Sequence, residues 1–179
     1  PMKAASILRN QKGLDNIDLG MGNEMAINQL IAHHSVIFLP EKQIMYVSTS
    51  PWQCGKYVAY DLNRIFSDSI DFNHEIYTEN LTVPADSFLQ QQEYQQLMTY
   101  KRLAPVLRKQ IKKKERLDEQ TLHAFQHANP HFFYVYELLG DYYHATGQQD
   151  KALRNWKKAL LLPIPKRSES ERIEHKINN

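Results

Sequence analysis

With 179 residues, 42% of them hydrophobic and 23% charged, the chain has the composition of one medium globular domain, or a small one with an extension, and not of a disordered polymer. A formal net charge of +2 excludes any global electrostatic case for nucleic acid or anionic lipid as partner, and there is no run of about 18 apolar residues to span a membrane. Cys54 is the single cysteine, so neither an internal disulfide nor an all-thiolate metal site can form.

Pro1 to Ser6 lack the apolar run of a signal peptide, and the compartment stays open. A start at Pro rather than Met is the expectation of a trimmed or partial chain, with a true start at Met2 as the alternative. Residues 2–9 read as a short helix stopped near Gly13, and residues 13–24, rich in Gly, Asp and Asn, as a loop. Ala26 to Ala32 leads into an apolar run from His33 to Phe38. Pro40-Glu41-Lys42-Gln43 then turns the chain, and Ile44 to Thr49 returns, which predicts an antiparallel hairpin. Ser50 to Gly55 reads as a loop, Lys56 to Tyr60 as a short strand, and Asp61 to Phe66 as a helical turn. Residues 67–84 are polar and irregular and end at Val83-Pro84, so the reading makes them a linker between segment 1–66 and segment 85–179.

From Ala85 onward the pattern is helical. Asp86 or Ser87 is expected to cap a helix through Tyr100, with Pro105 near a restart or kink. Asp118 opens another helix, and Asn129-Pro130 breaks it. Arg108 to Arg116 holds six basic residues in nine. No aromatic interleaves them to stack a base, so a solvated helix face is favoured over a phosphate-binding patch, and no nucleic-acid partner is expected. The last stretch, residues 166–179, reads as a capping helix with Ile173 and Ile177 on one side.

The most specific pattern lies at residues 133–166. Tyr136, Leu139-Gly140, Tyr143, Ala152, Trp156 and Ala159 fall at the spacing of the tetratricopeptide repeat, with Pro163 and Pro165 bracketing its terminal proline. Gly140 and Ala152 are small, so two helices can approach closely there. Gly147 is expected to close the first helix, Asp150 to cap the second, and Pro163 to stop it. No second copy of the pattern is present. Packing on its own protein is therefore favoured over a peptide-binding groove, with a protein or peptide partner of the hairpin as the other reading.

Residues that could carry chemistry are few. His33-His34-Ser35 suggests a base beside a nucleophile, but strand neighbours point to opposite faces, so His34 and Ser35 would not pair. His33 and Ser35 would share a face without an orienting acid nearby in sequence. His123 and His127 have an i, i+4 ligand spacing, with His131 or His144 as a third candidate. The intervening Ala124-Phe125-Gln126 lacks the glutamate of a zinc-protease helix, and no metal is assigned. Gly20-Met21-Gly22 lacks the third glycine of a phosphate loop, and no cofactor is expected. Cys54, near Lys56, reads as an incidental thiol.

Gly22 to Phe38, then Tyr46-Val47-Ser48, Pro51-Trp52 and Tyr57-Val58-Ala59-Tyr60-Asp61-Leu62, resemble the C-terminal part of the acyl-CoA:6-aminopenicillanic acid acyltransferase-like family. These are N-terminal-nucleophile hydrolases, more distantly related to choloylglycine hydrolases and penicillin V acylases. The shared features are a His-Ser-Val-Ile start, a turn, a return strand, a Pro-containing loop and a Tyr-x-x-Tyr-Asp-Leu stretch. The resemblance covers roughly residues 1–66. It implies strands of a four-layer αββα sandwich, and amide hydrolysis or acyl transfer by an N-terminal Cys whose own amine is the base. Neither Pro1 nor the mid-chain Cys54 can be that nucleophile, so it would lie upstream. Asn28 and His34 are the closest counterparts of pocket-lining polar groups.

The expectation is thus an α+β chain: a short antiparallel sheet segment, the remnant of an αββα sandwich, followed by an all-α tetratricopeptide-like region. Two or three strands leave open edges, to be completed by the rest of the parent protein or by another copy of the chain. The function expected is that of a C-terminal portion of an amide- or thioester-acting enzyme, inactive alone. The alternative is a non-enzymatic protein-interaction module.

Overall fold

The computed structural model describes residues 1–67, 73 and 75–178. Positions 68–72 and 74 of the expected linker lie outside the described residues. Among the described residues the fold is mixed α+β and mostly helical, with one three-stranded antiparallel sheet and seven α-helices. They form two compact units, one of residues 1–10 and 27–90, the other of residues 11–26 and 91–179. The loop over 11–26, which the sequence places with the β-containing segment, therefore belongs to the helical unit.

The sheet unit contains α1 (Met2–Leu8), β1 (Val36–Leu39), β2 (Ile44–Ser48), β3 (Tyr57–Asp61) and α2 (Leu62–Ile65), with the strands in the order β1-β2-β3. The hairpin turn is a single 3₁₀ turn over Pro40–Lys42, closed by Gln43 in the left-handed region at φ 52°. Register pairs Val36 with Val47 and Phe38 with Met45, then Met45 with Tyr60 and Val47 with Val58. Period-two alternation puts these six on one face. Ile37, Tyr46, Ala59 and Tyr57 lie on the other, where Ala4, Ala5 and Leu8 of α1 cover them together with Val83. Asp61 caps α2 by accepting from the backbone N–H of Asn63 (3.0 Å) and Arg64 (3.3 Å). The strand begins later than expected, at Val36. His33, His34 and Ser35 precede it, so their facing does not follow strand alternation.

The helical unit contains α3 (Gln92–Lys113), α4 (Glu119–Ala128), α5 (Phe133–Ala145), α6 (Gln149–Leu160) and α7 (Arg167–Asn178). Three local expectations change. Asp86 accepts from Phe88 N–H (2.9 Å) but starts only a 3₁₀ turn over Ser87–Gln90 in the sheet unit, and α3 begins at Gln92. Pro105 sits inside α3 without ending it, on an exposed side where its missing N–H costs one ladder bond. Asp150 occupies the first turn of α6 and caps nothing by side chain, although its charge still favours the positive helix start.

Other signals act as read. Asp118 caps α4 through Thr121 N–H at 2.7 Å. Gly147, at φ +77°, ends α5 with two reversed bonds, Gly147 N–H to His144 O (3.1 Å) and Gln148 N–H to Tyr143 O (2.8 Å). A Cβ on Gly140 would come within 2.3 Å of the Trp156 ring, so the glycine makes room for an indole lying across α5. The core gathers Leu107, Leu122, Phe125, Leu139, Tyr142 and Trp156 from four helices, with Ile173 of α7 closing it. Each such side chain, fully buried, contributes about 1.5–3 kcal/mol.

Candidate functional site

In the sheet unit the polar groups are knitted into the framework. Asn28 is fully buried. Its Nδ2 donates to Cys54 Sγ (3.3 Å), its Oδ1 accepts from Leu30 N–H (3.0 Å), and its own N–H reaches Asn10 O (2.8 Å). Burial pushes the Cys54 thiol up, and the Asn28 hydrogen bond only partly opposes that, so the sulfur is held as a thiol. Arg9 donates to the carbonyls of Gly55 (2.7 Å) and Pro84 (2.8 Å), and its guanidinium lies 5.1 Å from the centre of the Tyr57 ring. These contacts tie the loops at Gly55 and Pro84 to α1 and its C-terminal end.

His33 and His34 are exposed at the approach to β1, whereas Asn28 faces Cys54 in the interior. Ser35 N–H donates to Ser48 Oγ (2.7 Å), and the Ser35 hydroxyl pairs with the Tyr57 hydroxyl. Its partners are other hydroxyls, none of which matches a histidine base. On α4, His123 and His127 stack with ring centres 3.8 Å apart, and His127 Nδ1 contacts His123 O at 2.9 Å. Among the described residues no group of three or more His, Cys, Asp or Glu is placed to hold a metal ion.

The helical unit carries a charged cluster that the spacing argument does not reach. Glu137, on the apolar helix α5, is 2% exposed. Both its oxygens accept from Arg172 at 2.8 Å, and Lys176 Nζ donates to it at 2.7 Å. Lys176 also reaches Asp141 at 2.8 and 2.9 Å, and Asp141 accepts from Trp156 Nε1 at 3.0 Å. Burial alone would raise the Glu137 carboxyl, but hydrogen bonds and charge from Arg172 and Lys176 hold it below the usual carboxylate range. The signal was present in the sequence. One Glu stands in the run Phe133-Tyr134-Val135-Tyr136-Glu137-Leu138-Leu139, and Arg172 and Lys176 are four apart on α7 beside Ile173 and Ile177.

Next to this cluster lies a groove of about 560 Å³, lined by Ile111 of α3, Asp141, His144 and Ala145 of α5, Trp156 of α6, and His175 and Lys176 of α7. His144 Nδ1 is engaged with Gln149 Oε1 at 2.9 Å, and its ring centre lies 5.6 Å from that of Trp156. Both acids and the lysine of this cluster are satisfied by one another, and His144 and His175 are the other titratable groups of the lining.

The chain matches no family model, no curated protein and no solved structure. Among the described residues no helix is long and apolar enough to cross a membrane.

Proposed function

We propose that residues 1–66 are the closing strands of an αββα sandwich of the acyl-CoA:6-aminopenicillanic acid acyltransferase-like kind, belonging to a parent protein that acts on amide or thioester acyl groups. The supporting observation is the sheet face opposite α1. Val36 and Phe38 there are 39% and 59% exposed, beside half-buried Met45, Val47, Val58 and Tyr60. A helix on one face and an apolar, part-exposed face on the other is what one half of a two-sheet sandwich presents. Three strands about 4.8 Å apart, each about five residues long, offer on the order of 200 Å². That is far below the roughly 800 Å² per partner of a free-standing complex. A layer joined through the same polypeptide needs no such area, because its effective concentration is high.

In this reading the nucleophile is supplied outside residues 1–179, since Cys54 has a peptide-bonded amine and a buried thiol, and this chain alone is inactive. The test is the intact mass and N-terminal sequence of the protein from its own cells, compared with the gene's reading frame. Hydrolysis of amide and thioester substrates by the longer product follows, with and without its N-terminal Cys. Translation starting at Met2, or a longer product without Cys-dependent hydrolysis, ends the reading.

The groove favours a second reading, a protein-interaction module. Here α5 and α6 form one tetratricopeptide-like hairpin, α3 and α4 a degenerate upstream pair, and α7 the cap. This reading needs no enzyme and is independent of the first.

A further inference from the structure

Resting on the reading of the helical unit as an interaction module, we propose that the groove between α3, α5, α6 and α7 docks an acidic peptide segment carrying one apolar anchor residue. Ile111 belongs at once to the groove and to the basic run at the end of α3. Arg108, Lys109, Lys112, Lys113, Lys114 and Arg116 are all exposed, opposed within the run only by Glu115. Arg108 lies one helical turn before Ile111 on the helix and Lys112 directly follows it, so the basic run flanks along the chain the residue that α3 gives to the groove.

The groove's own acids do not cancel that charge. Asp141 is taken up by Lys176 and the Trp156 N–H, and Glu137 by Arg172 and Lys176. Two carboxylates against two cations leave the cluster neutral and the basic run as the surplus. The half-buried Ile111 and Ala145, which line the groove together with Trp156, can bury one apolar side chain. Flanking carboxylates would meet the exposed basic side chains, which steers association and sets orientation. Nucleic acid is the weaker match, because the run has no interleaved aromatic and Trp156 is 2% exposed, too covered to stack a base.

The probe is a fluorescein-labelled peptide with one central phenylalanine between glutamates, titrated against the whole chain by anisotropy. Three comparison probes are used: the same peptide with glutamines for glutamates, with serine for phenylalanine, and a single-stranded oligouridine. The acidic peptide is expected to bind, and to weaken steadily as salt rises. Each peptide replacement is expected to weaken it at least about tenfold. The double charge reversal Arg108→Glu with Lys112→Glu, both exposed and outside the core, should lose binding about tenfold or more while thermal unfolding is unchanged. Ala145→Asp should lose binding of the anchored peptide by a similar factor. Equal binding of the serine peptide, tighter binding of the oligouridine, indifference to the charge reversal, or no binding of the acidic peptide each overturns the proposal. None of these outcomes bears on Cys-dependent hydrolysis by the parent protein, so the two readings fail separately.

Discussion

In the helical unit α5 is enclosed almost all round, with Val135, Tyr136, Leu138, Leu139 and Tyr142 all buried, and even its one interior charge, Glu137, is held by two cations. In the sheet unit, among the described residues, one face is buried and the other is part-exposed. Ile37 is buried beneath α1, while Phe38, one residue on, is 59% exposed. The difference follows from geometry. A helix can meet neighbours on several sides, so α3, α4, α6 and α7 supply α5 and one another with cover. A sheet has two faces, and α1 can cover only one. The helical unit buries its central helix on nearly all sides, whereas the sheet unit buries one face and leaves the other part-exposed.

The sharpest way to break this comparison is to truncate one aromatic in each unit. Phe125→Ala should cost the helical transition about 3–5 kcal/mol, whereas Phe38→Ala should cost well under about 1 kcal/mol, both read by urea unfolding. A large cost at Phe38 would mean its face is already covered. Next in size, Gly140→Ala should cost about 1–3 kcal/mol, because the added methyl meets the Trp156 ring, and its near-ultraviolet dichroism should change with it. A neutral result would place the indole elsewhere.

Glu137→Gln should cost about 1–3 kcal/mol at neutral pH, since it removes the charge that Arg172 and Lys176 share. The folded carboxyl titrates below its usual value of 4.5, so its contribution is full above that pH and is lost as pH falls through the lower folded value. The variant should therefore show a flatter acid limb in a plot of stability against pH, and an unchanged limb would remove the cluster from the account. The smallest effect expected is a gain. Lys114 closes α3 in the left-handed region at φ 56°, and Lys114→Gly should raise stability by a few tenths to about 1 kcal/mol, seen as a higher unfolding temperature.

What could be read from the sequence was local. The Pro40–Gln43 turn, the helical turn after Asp61, the helix start at Asp118 and the Gly147 stop all depend on residues close along the chain, where side-chain chemistry dictates backbone geometry. Pattern failed where tertiary context outweighs it. Pro105 reads as a restart or kink but sits on the exposed side of one continuous helix, and His33-His34 reads as strand but only leads into one. Of the candidate site, Asn28 proves to be an interior partner of Cys54, a pairing across 26 residues that no short-range rule supplies. For the Glu137 cluster the lone acid on α5 and the basic pair on α7 were visible, but not their meeting across 35 and 39 residues. The groove was unreadable as well, because its lining comes from four helices.

Asn129 shows how long such a join can last. Its buried side chain accepts from Met21 N–H (2.9 Å) and donates to Met21 O (2.7 Å), imitating one rung of a ladder across 108 residues. Asparagine ages when the next residue's backbone nitrogen attacks its side-chain carbonyl, closing a succinimide that opens to aspartate. Here the next residue is Pro130, whose nitrogen has no hydrogen to lose. Conversion to aspartate would replace the donor with an acceptor facing the Met21 carbonyl and undo the rung. The proline that separates α4 from α5 thus also closes this route of chemical ageing at the side chain holding residues 11–26 against the helices.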